Sequence, residues 1–374
     1  MVTSARPETE ELVARLSAVE DPALFLPLGT LGTLRSVAPR SEGVALRVAL
    51  PPAYPDDARA LLAERLAAAA GVAVFLELEE LDEAGQAALG ERLAGGDATE
   101  APDANGTRAN PFGQKSSATR VLAISSGKGG VGKSSVTVNL AVALAATGQR
   151  VGLLDADIYG FSVPRMLGLS SPPLALGHTL VAPVAHNVRV VSMGLFIDED
   201  RAVAWRGPML HKALEQFLVD VYWGPLDYLV VDLPPGTGDV PMSIASQLPG
   251  AECYVVTTPQ PAAQRVAQRA GALAREVRMP VRGVIENMSY FLAPDGTRHE
   301  IFGHGGGERL AQSLGVPLLA RLPLETAVRE GADEGVPAAL AAPDGAVAGA
   351  FSELAKAVIA LGPARVYRRE LKVK

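Results

Sequence analysis

The spacing of apolar residues predicts a small mixed domain at the start of the chain. Residues 8–19 and 56–70 carry apolar side chains at helical intervals, and the second stretch begins with acids. Strict alternation over residues 43–50 and 72–81 predicts two strands, and residues 31–37 predict a weaker one. This order of helices and strands indicates a small α+β domain over residues 1–90.

From residue 120 onward, predicted strands alternate with predicted helices. Several strands are continuous runs of Val, Leu and Ile, which is typical of parallel strands covered on both faces. The alternation predicts an α/β domain over residues 120–365, built on a doubly wound, mostly parallel sheet that binds ligands at the carboxyl ends of its strands. The predicted strands are residues 121–125, 151–155, 188–193, 228–232, 253–257, 281–286 and 318–321, and the predicted helices are residues 135–146, 211–220, 263–277 and 308–314.

Residues 91–119 separate the two regions. They are rich in Gly, Ala, Asp, Asn, Pro and Ser, a composition that predicts a flexible linker. The total of 374 residues is long for one hydrophobic core and agrees with two domains.

The net charge and the cysteine content indicate which compartment and which partners to expect. The formal net charge of -7 argues against a general nucleic-acid surface, so we expect no nucleic-acid partner. A single cysteine excludes disulfides within the chain and indicates a reducing compartment. Residues 1–10 are polar and acidic, unlike a signal peptide, and no apolar run approaches the ~20 residues of a membrane span. We therefore expect a cytoplasmic protein that does not contact membranes.

A glycine-rich segment between the strand at 121–125 and the helix after it matches the phosphate-binding pattern G-x-x-x-x-G-K-[ST]. Its glycines allow backbone N–H groups to surround a phosphate, and the following helix adds its positive end. Lys133 is expected to reach the β- and γ-phosphates, and Ser134 to ligate Mg²⁺. The domain is thus predicted to be a P-loop NTPase domain. Its predicted nucleotide-binding residues are Gly127, Lys128, Gly129, Gly130, Val131, Gly132, Lys133, Ser134 and Ser135.

Acidic residues follow two of the predicted strands. Asp155 and Asp157 end one strand, and alternation places both on one side of the chain. Asp232 ends an apolar strand as a Walker B acid does, and is expected to hold Mg²⁺ directly or through water. The alternative is that these aspartates only cap the turns that follow.

Lys128 changes the interpretation of the loop. A lysine at this position marks the deviant Walker A class, so the segment resembles that of ParA, MinD, the nitrogenase iron protein and the arsenic-pump ATPases. In those families this lysine contacts nucleotide across a dimer interface. The resemblance therefore implies a nucleotide-sandwich homodimer that hydrolyses ATP, with Lys128, Lys133 and Asp157 as catalytic residues. The alternative for Lys128 is a solvated surface lysine.

The same resemblance assigns roles to the remaining polar residues. It implies that Asp157 positions the attacking water and that Asp155 supports the Mg²⁺ shell, although which aspartate does which stays open. Asn287, after the strand at 281–286, can offer its amide to adenine, and residues 323–335 are a second candidate for the base pocket. An ordinary turn residue is the alternative for Asn287.

Further segments resemble the Mrp/ApbC family of iron–sulfur cluster carrier proteins. The string Gly-Val-Ile-Glu-Asn-Met-Ser at 283–289 separates this family from MinD and ParA, and the resemblance covers about residues 120–340. Residues 16–22 and 28–32 resemble the small iron–sulfur-assembly domain that often precedes the ATPase. The other matching segments are residues 205–209, 226–239, 255–260 and 301–303.

The chain departs from this family at the cluster ligands. Members that carry clusters usually have Cys-x-x-Cys just after the Asn-Met-Ser segment, so that a dimer supplies four thiolates. Residues 290–300 contain no cysteine, and Tyr54 precedes Pro55 where the small domain often has a cysteine. Cys253 lies in an apolar strand and is expected to be a buried small hydrophobe. A metal role is not expected for His299 or His304.

Two functions follow from these residues. The first is an ATP-binding and hydrolysing carrier or assembly factor for iron–sulfur clusters, with assembly proteins and apo-targets as partners. Any cluster would then need non-thiolate ligands or a partner's thiols. The alternative is a MinD- or ParA-like ATPase switch that acts on protein or membrane partners without carrying a cluster.

Overall fold

The structure is a computed structural model. It describes residues 5–52, 54–96, 110–114, 116–170, 172–176, 179–196, 207–293 and 295–364. Residues 97–109 of the predicted linker lie outside the described residues, as do Trp205 and Arg206 of one family segment.

The small domain packs two helices on a three-stranded sheet. The sheet has the order β1-β2-β3, with β1 antiparallel and β3 parallel to β2. Alternation along β2 points Val44, Leu46 and Val48 into a core that also holds Leu16 of α1 and Leu62 of α3. The elements are α1 (Ala5–Ser17), α2 (Leu28–Leu31), β1 (Leu34–Arg40), β2 (Gly43–Leu50), α3 (Asp56–Ala70), β3 (Val74–Glu80) and α4 (Glu83–Gly96).

Two elements of this domain differ from the sequence-based prediction. The strand predicted over residues 31–37 begins later, at Leu34, because Leu31 ends the short helix α2 and Gly32 adopts φ 65 as its C-cap. Helix α4 was not predicted, since its Ala- and Gly-rich sequence has little periodicity. It runs through Gly96, so residues 91–96 are helical and the linker predicted from residue 91 begins later.

The second domain contains the remaining elements. They are β4 (Arg120–Ser126), α5 (Lys133–Ala146), β5 (Val151–Asp155), α6 (Val163–Met166), β6 (Leu174–Leu176), β7 (Thr179–Val181), β8 (Val184–Ala185), β9 (Val188–Ser192), the 3₁₀ turn Met193–Leu195, α7 (Gly207–Val219), β10 (Val221–Tyr222), β11 (Tyr228–Asp232), α8 (Asp239–Gln247), β12 (Glu252–Thr257), α9 (Pro261–Glu276), β13 (Val281–Leu292), β14 (Arg298–His299), α10 (Gly306–Leu314), β15 (Leu318–Pro323), α11 (Thr326–Glu334), α12 (Ala338–Ala341) and α13 (Ala346–Ala360).

Helices cover both faces of the main sheet, so the predicted doubly wound, mostly parallel sheet is confirmed. Its parallel strands run in the order β15-β13-β12-β4-β11-β5-β9, with β8 antiparallel at one edge and β14 antiparallel to the end of β13. Helices α5, α12 and α13 pack on one face, and α7 to α10 on the other. Because β4, β5 and β11 are adjacent, the carboxyl ends of these three strands meet.

A separate small sheet joins the two domains. It has the order β10-β7-β6 and packs against helix α4 of the small domain. Leu89 and Leu93 of α4 share a buried cluster with Leu176, Val181 and Tyr222. The domains are thus held together by an apolar interface.

A buried arginine adds a polar link to this interface. Arg189 of β9 is fully buried and donates hydrogen bonds to the carbonyls of Ala23 and Tyr222. Its guanidinium also lies 4.7 Å from the centre of the Phe25 ring. Within the described residues, no helix combines the length and apolar character needed to cross a membrane.

Candidate nucleotide site

The loop between β4 and α5 has the shape that a phosphate requires. Gly130 and Gly132 adopt left-handed backbone angles, φ 78 and 75, which glycine tolerates without strain. A Cβ placed on Gly129 or Gly130 would meet no atom within 4 Å, so the backbone of the loop faces open space. The backbone of the loop is therefore accessible at the N-terminus of α5, where a helix favours an anion.

The first glycine of the motif serves packing rather than the open face. A Cβ on Gly127 would overlap the backbone of α9 at Val266 and Ala267. This close approach fixes the position of the loop against α9. Packing against α9 therefore requires a glycine here, in addition to the phosphate-binding motif.

Three donors from α5 converge on the Walker B aspartate. Asp232 is fully buried, and its Oδ2 lies 2.7 Å from Lys133 Nζ and 2.6 Å from Ser134 Oγ. Its Oδ1 accepts a hydrogen bond of 2.6 Å from Thr137 Oγ1. Lys133 is also buried and lies 3.2 Å from Ser134 Oγ. The predicted grouping of Lys133, Ser134 and Asp232 is thus present in space.

Asp155 is the neighbouring carboxylate. Its Oδ2 accepts a hydrogen bond of 3.0 Å from Ser192 Oγ, and its Oδ1 accepts the N–H of Asp157 at 3.2 Å. Asp155 pairs in register with Asp232 on β11. Burial, together with the negative charge of Asp232, raises the pKa of Asp155 to about 7. The two carboxylates therefore share a buried region in which Lys133 Nζ lies 2.7 Å from Asp232 Oδ2.

Asp157 lies just beyond β5 and is only partly buried. Its Oδ1 accepts the N–H of Gly160 at 3.2 Å, which is the turn-capping contact considered from the sequence. Burial raises the pKa of Asp157 above its usual range, while Lys133 opposes the shift. The negative charge of Asp232 also raises the pKa of Asp157.

Asn287 is placed differently from its prediction. It lies inside β13, which continues to Leu292, rather than in a turn after the strand. Its Nδ2 donates a 2.9 Å hydrogen bond to the carbonyl of Val131 in the phosphate loop. In this arrangement the amide supports the loop directly, and Tyr290 pairs with Pro323 farther along the same strand.

The donor set suits Mg²⁺. This ion takes oxygen ligands and usually combines one or two carboxylates with substrate phosphates and water. Ser134, Asp155 and Asp232 supply a hydroxyl and two carboxylates, and the two buried acids exceed the single lysine charge beside them. Among the described residues, no group of three or more His, Cys, Asp or Glu side chains could hold a metal by itself.

Comparison with known proteins identifies the family. A family model described as ParA, the NUBPL iron-transfer P-loop NTPase, matches residues 117–359. The chain belongs to this family. A protein of Mycobacterium leprae named iron-sulfur cluster carrier protein is 44% identical over 343 residues, which cover 89% of this chain and 88% of that protein. A protein of the same name from Bacillus subtilis is 53% identical over 205 residues, covering 54% of this chain and 58% of its own length.

Solved structures of the family fold agree. A nucleotide-binding protein in complex with ADP from Archaeoglobus fulgidus is 33% identical with a TM-score of 0.52, covering 59% of this chain and 87% of its own. The cell division ATPase MinD of Pyrococcus furiosus is 25% identical with a TM-score of 0.51, covering 65% of this chain and 99% of its own. The resemblance to iron–sulfur cluster carrier proteins and the P-loop NTPase fold are thus confirmed.

Cys253, His299 and His304 are the side chains that were considered above as metal ligands. Cys253 is buried in β12, and burial raises the pKa of its thiol to about 12. His299 and His304 are exposed, and His304 Nδ1 lies 2.9 Å from Glu300.

Two residues of the site, Thr137 and Ser192, were not predicted from the sequence. Thr137 follows Lys133 by four residues, so helical spacing places both on one face of α5 and was a usable signal. Ser192 is 37 residues from Asp155 and reaches it only through the pairing of β5 with β9. No local sequence pattern predicts that contact.

Proposed function

We propose that this protein binds and hydrolyses ATP with Mg²⁺ and uses that cycle to carry or assemble iron–sulfur clusters in the cytoplasm. The observation that supports the ATPase activity is the convergence of Lys133 and Ser134 on Asp232 beside an open phosphate loop. The cargo is supported by the name that its relatives share.

The residues of the site divide the work on a triphosphate. Backbone N–H groups of the loop would surround the phosphates, and Lys133 would turn from Asp232 to the β- and γ-phosphate oxygens. Ser134 and Asp232, with Asp155 behind them, would hold Mg²⁺, which neutralises phosphate charge when bound. Asp157, which is only partly buried, would orient the attacking water.

Lys128 supports a deviant Walker A mechanism. Its side chain is exposed, and within the described part of the chain it forms no salt bridge with any acid. An exposed lysine in the phosphate loop can contact the nucleotide that is bound to a second copy of the chain. We therefore propose a nucleotide-sandwich homodimer. Light scattering with a non-hydrolysable ATP analogue should give a dimer for the wild type and a monomer for Lys128→Ala.

The Lys133→Ala variant tests the ATPase assignment. Removal of the lysine should abolish ATP hydrolysis, because no other described cation lies within 4 Å of Asp232 in this site. Phosphate release measured against the exposed-surface control Lys356→Ala, whose lysine pairs only with Glu353, checks this. Normal turnover by Lys133→Ala would refute the site.

The cargo requires its own experiment. Cys253 is enclosed, so a cluster would be held by non-thiolate groups or by thiols of assembly proteins and apo-targets. Anaerobic reconstitution followed by iron and sulfide analysis, with transfer to an apo-target, should reveal cluster on the protein or on the target. Metal-free protein that also fails in transfer would remove the carrier function while leaving the ATPase intact.

A second candidate is an ATP-driven switch that acts on protein or membrane partners without a cluster. It is favoured by the missing thiolates and by the likeness to MinD. Co-sedimentation with liposomes in the presence of ATP tests its membrane form: ATP-dependent binding would support the switch, and its absence would exclude the membrane as the partner.

A further inference from the structure

Thr137 holds the Walker B aspartate from a side that the phosphate loop does not reach. It lies one helical turn after Lys133 in α5 and is fully buried. Its Oγ1 is 2.6 Å from Asp232 Oδ1 and 2.9 Å from the carbonyl of Lys133. A hydroxyl has one proton, and the shorter contact to the charged carboxylate is the stronger bond.

The other two donors bind the opposite oxygen. Ser134 Oγ and Lys133 Nζ both contact Asp232 Oδ2, at 2.6 and 2.7 Å. These are the two groups that the proposed function moves to Mg²⁺ and to the phosphates. When they leave, Oδ2 becomes available to a metal, and the bond from Thr137 to Oδ1 is the one of the three that has no reason to change.

We propose that Thr137 is a positioning residue that fixes the orientation of Asp232 so that Oδ2 faces the metal. The torsion that turns a carboxylate is soft, so a carboxylate held at neither oxygen can rotate its plane away from the site. Thr137 prevents this by anchoring Oδ1 to the rigid, buried helix α5. The inference rests on the proposed function, because it takes Asp232 to be a Mg²⁺ ligand.

A purely structural role for Thr137 makes a different prediction. If its hydroxyl only satisfied a buried carboxylate, its loss would lower thermal stability but leave the Mg²⁺ requirement of the reaction unchanged. The Mg²⁺ requirement is therefore the measurement that separates the two roles.

The test compares Thr137→Val, which keeps the shape and removes the hydroxyl, with Thr137→Ser, which keeps the hydroxyl. ATP hydrolysis is measured against Mg²⁺ concentration at fixed ATP, and binding of a fluorescent ADP analogue is measured in EDTA. We expect Thr137→Val to raise the half-saturating Mg²⁺ concentration about tenfold or more, the effect of one lost hydrogen bond to a charged group. Metal-free ADP binding should be unchanged, and Thr137→Ser should behave like the wild type.

The outcomes are distinct. If the wild type hydrolyses ATP, Lys133→Ala does not, and Thr137→Val keeps the wild-type Mg²⁺ dependence, this inference alone is overturned. An equal shift in Thr137→Ser would overturn it as well. A wild type without ATP hydrolysis would instead overturn the proposed function. Should Thr137→Val fail to fold, Thr137→Ala removes the same hydroxyl with less bulk and is measured in both assays.

Discussion

The buried carboxylates of the site have unequal surroundings. Asp232 receives three side-chain donors, one of them a lysine ammonium. Asp155 receives the Ser192 hydroxyl, and its two backbone N–H contacts are longer, at 3.2 and 3.4 Å. Burial and the negative charge of the neighbouring Asp232 explain why the pKa of Asp155 is raised.

Asp155 should make the stability of the nucleotide-free protein depend on pH. Its pKa is raised from an ordinary value of 3.8 to about 7, so between these values the folded state keeps a proton that the unfolded chain has lost. Its favourable contribution is complete below pH 3.8 and is lost as the pH rises through about 7.

Urea unfolding at several pH values across this range checks the prediction. The free energy of unfolding of the wild type should fall relative to that of Asp155→Asn as the pH rises, because asparagine does not titrate. Asp344→Asn, at an exposed acid, is the control and should parallel the wild type. Equal pH slopes for the wild type and Asp155→Asn would contradict the assignment.

Cys253 should be unreactive in the native protein. Its thiol is buried and its pKa is raised to about 12, whereas the thiolate is the form that reacts. Mass spectrometry after iodoacetamide treatment should show no label in native protein and full label in denaturant. Rapid labelling of the native protein would show that the thiol is accessible and would return Cys253 to the set of cluster ligands.

At the scale of elements, two neighbours of the phosphate loop hold its shape. The backbone of α9 packs against Gly127, and Asn287 of β13 bonds to the Val131 carbonyl. Both partners come from elements far along the chain, so the conformation of the loop depends on the order of strands in the sheet. The loop is thus a tertiary feature with a local sequence signature.

Asn287→Ala distinguishes loop support from base recognition. The loss of one buried hydrogen bond to the loop should weaken ATP and GTP binding alike, by about tenfold. An amide that recognised adenine would, in contrast, affect ATP and leave GTP unchanged. Isothermal titration with both nucleotides measures the difference, and Ser289→Ala, whose hydroxyl bonds to Glu286 rather than to the loop, is the matched control.

At the scale of the whole molecule, the two domains form one packed unit over the described residues. The apolar cluster of α4 with the small sheet and the buried Arg189 cross the boundary between them. Phe112 lies within the predicted linker, yet it is buried and edge-on to Trp223, with ring centres 5.9 Å apart. The small domain is therefore positioned against the ATPase domain rather than held by a tether alone.

Gly90→Ala tests this packing through the sign of its effect. Alanine normally stabilises an exposed helix relative to glycine, by about 0.5–1 kcal/mol. In α4, however, a Cβ on Gly90 would overlap the backbone carbonyl of Leu176 across the domain interface, so we expect destabilisation by about 1–3 kcal/mol. Gly349→Ala in α13, where a Cβ meets nothing within 4 Å, should be neutral or stabilising. Thermal unfolding of both variants gives the comparison, and stabilisation by Gly90→Ala would contradict the interface.

The sequence by itself determined the features that depend only on residues close together in the chain. The pattern of apolar residues predicted the seven parallel strands of the main sheet, because burial on both faces requires continuous apolar runs, and it predicted helices α5, α7, α9 and α10. The phosphate loop and the acid at the end of β11 were also predicted, because their chemistry needs fixed residue types at fixed spacing. Helix α4 was not predicted, because its Ala- and Gly-rich sequence shows little periodicity of apolar residues.

Only the tertiary structure decided which distant residues complete the site. Ser192 reaches Asp155 through strand pairing, and Asn287 reaches the loop because β13 continues as a strand past Glu286. Thr137 shared a helix face with Lys133, but its partner Asp232 is 95 residues away. Such contacts depend on strand order and on the packing of α5, and neither is encoded by any short stretch of chain. The same reason applies to Gly90, whose contact with Leu176 exists only once the two domains are assembled.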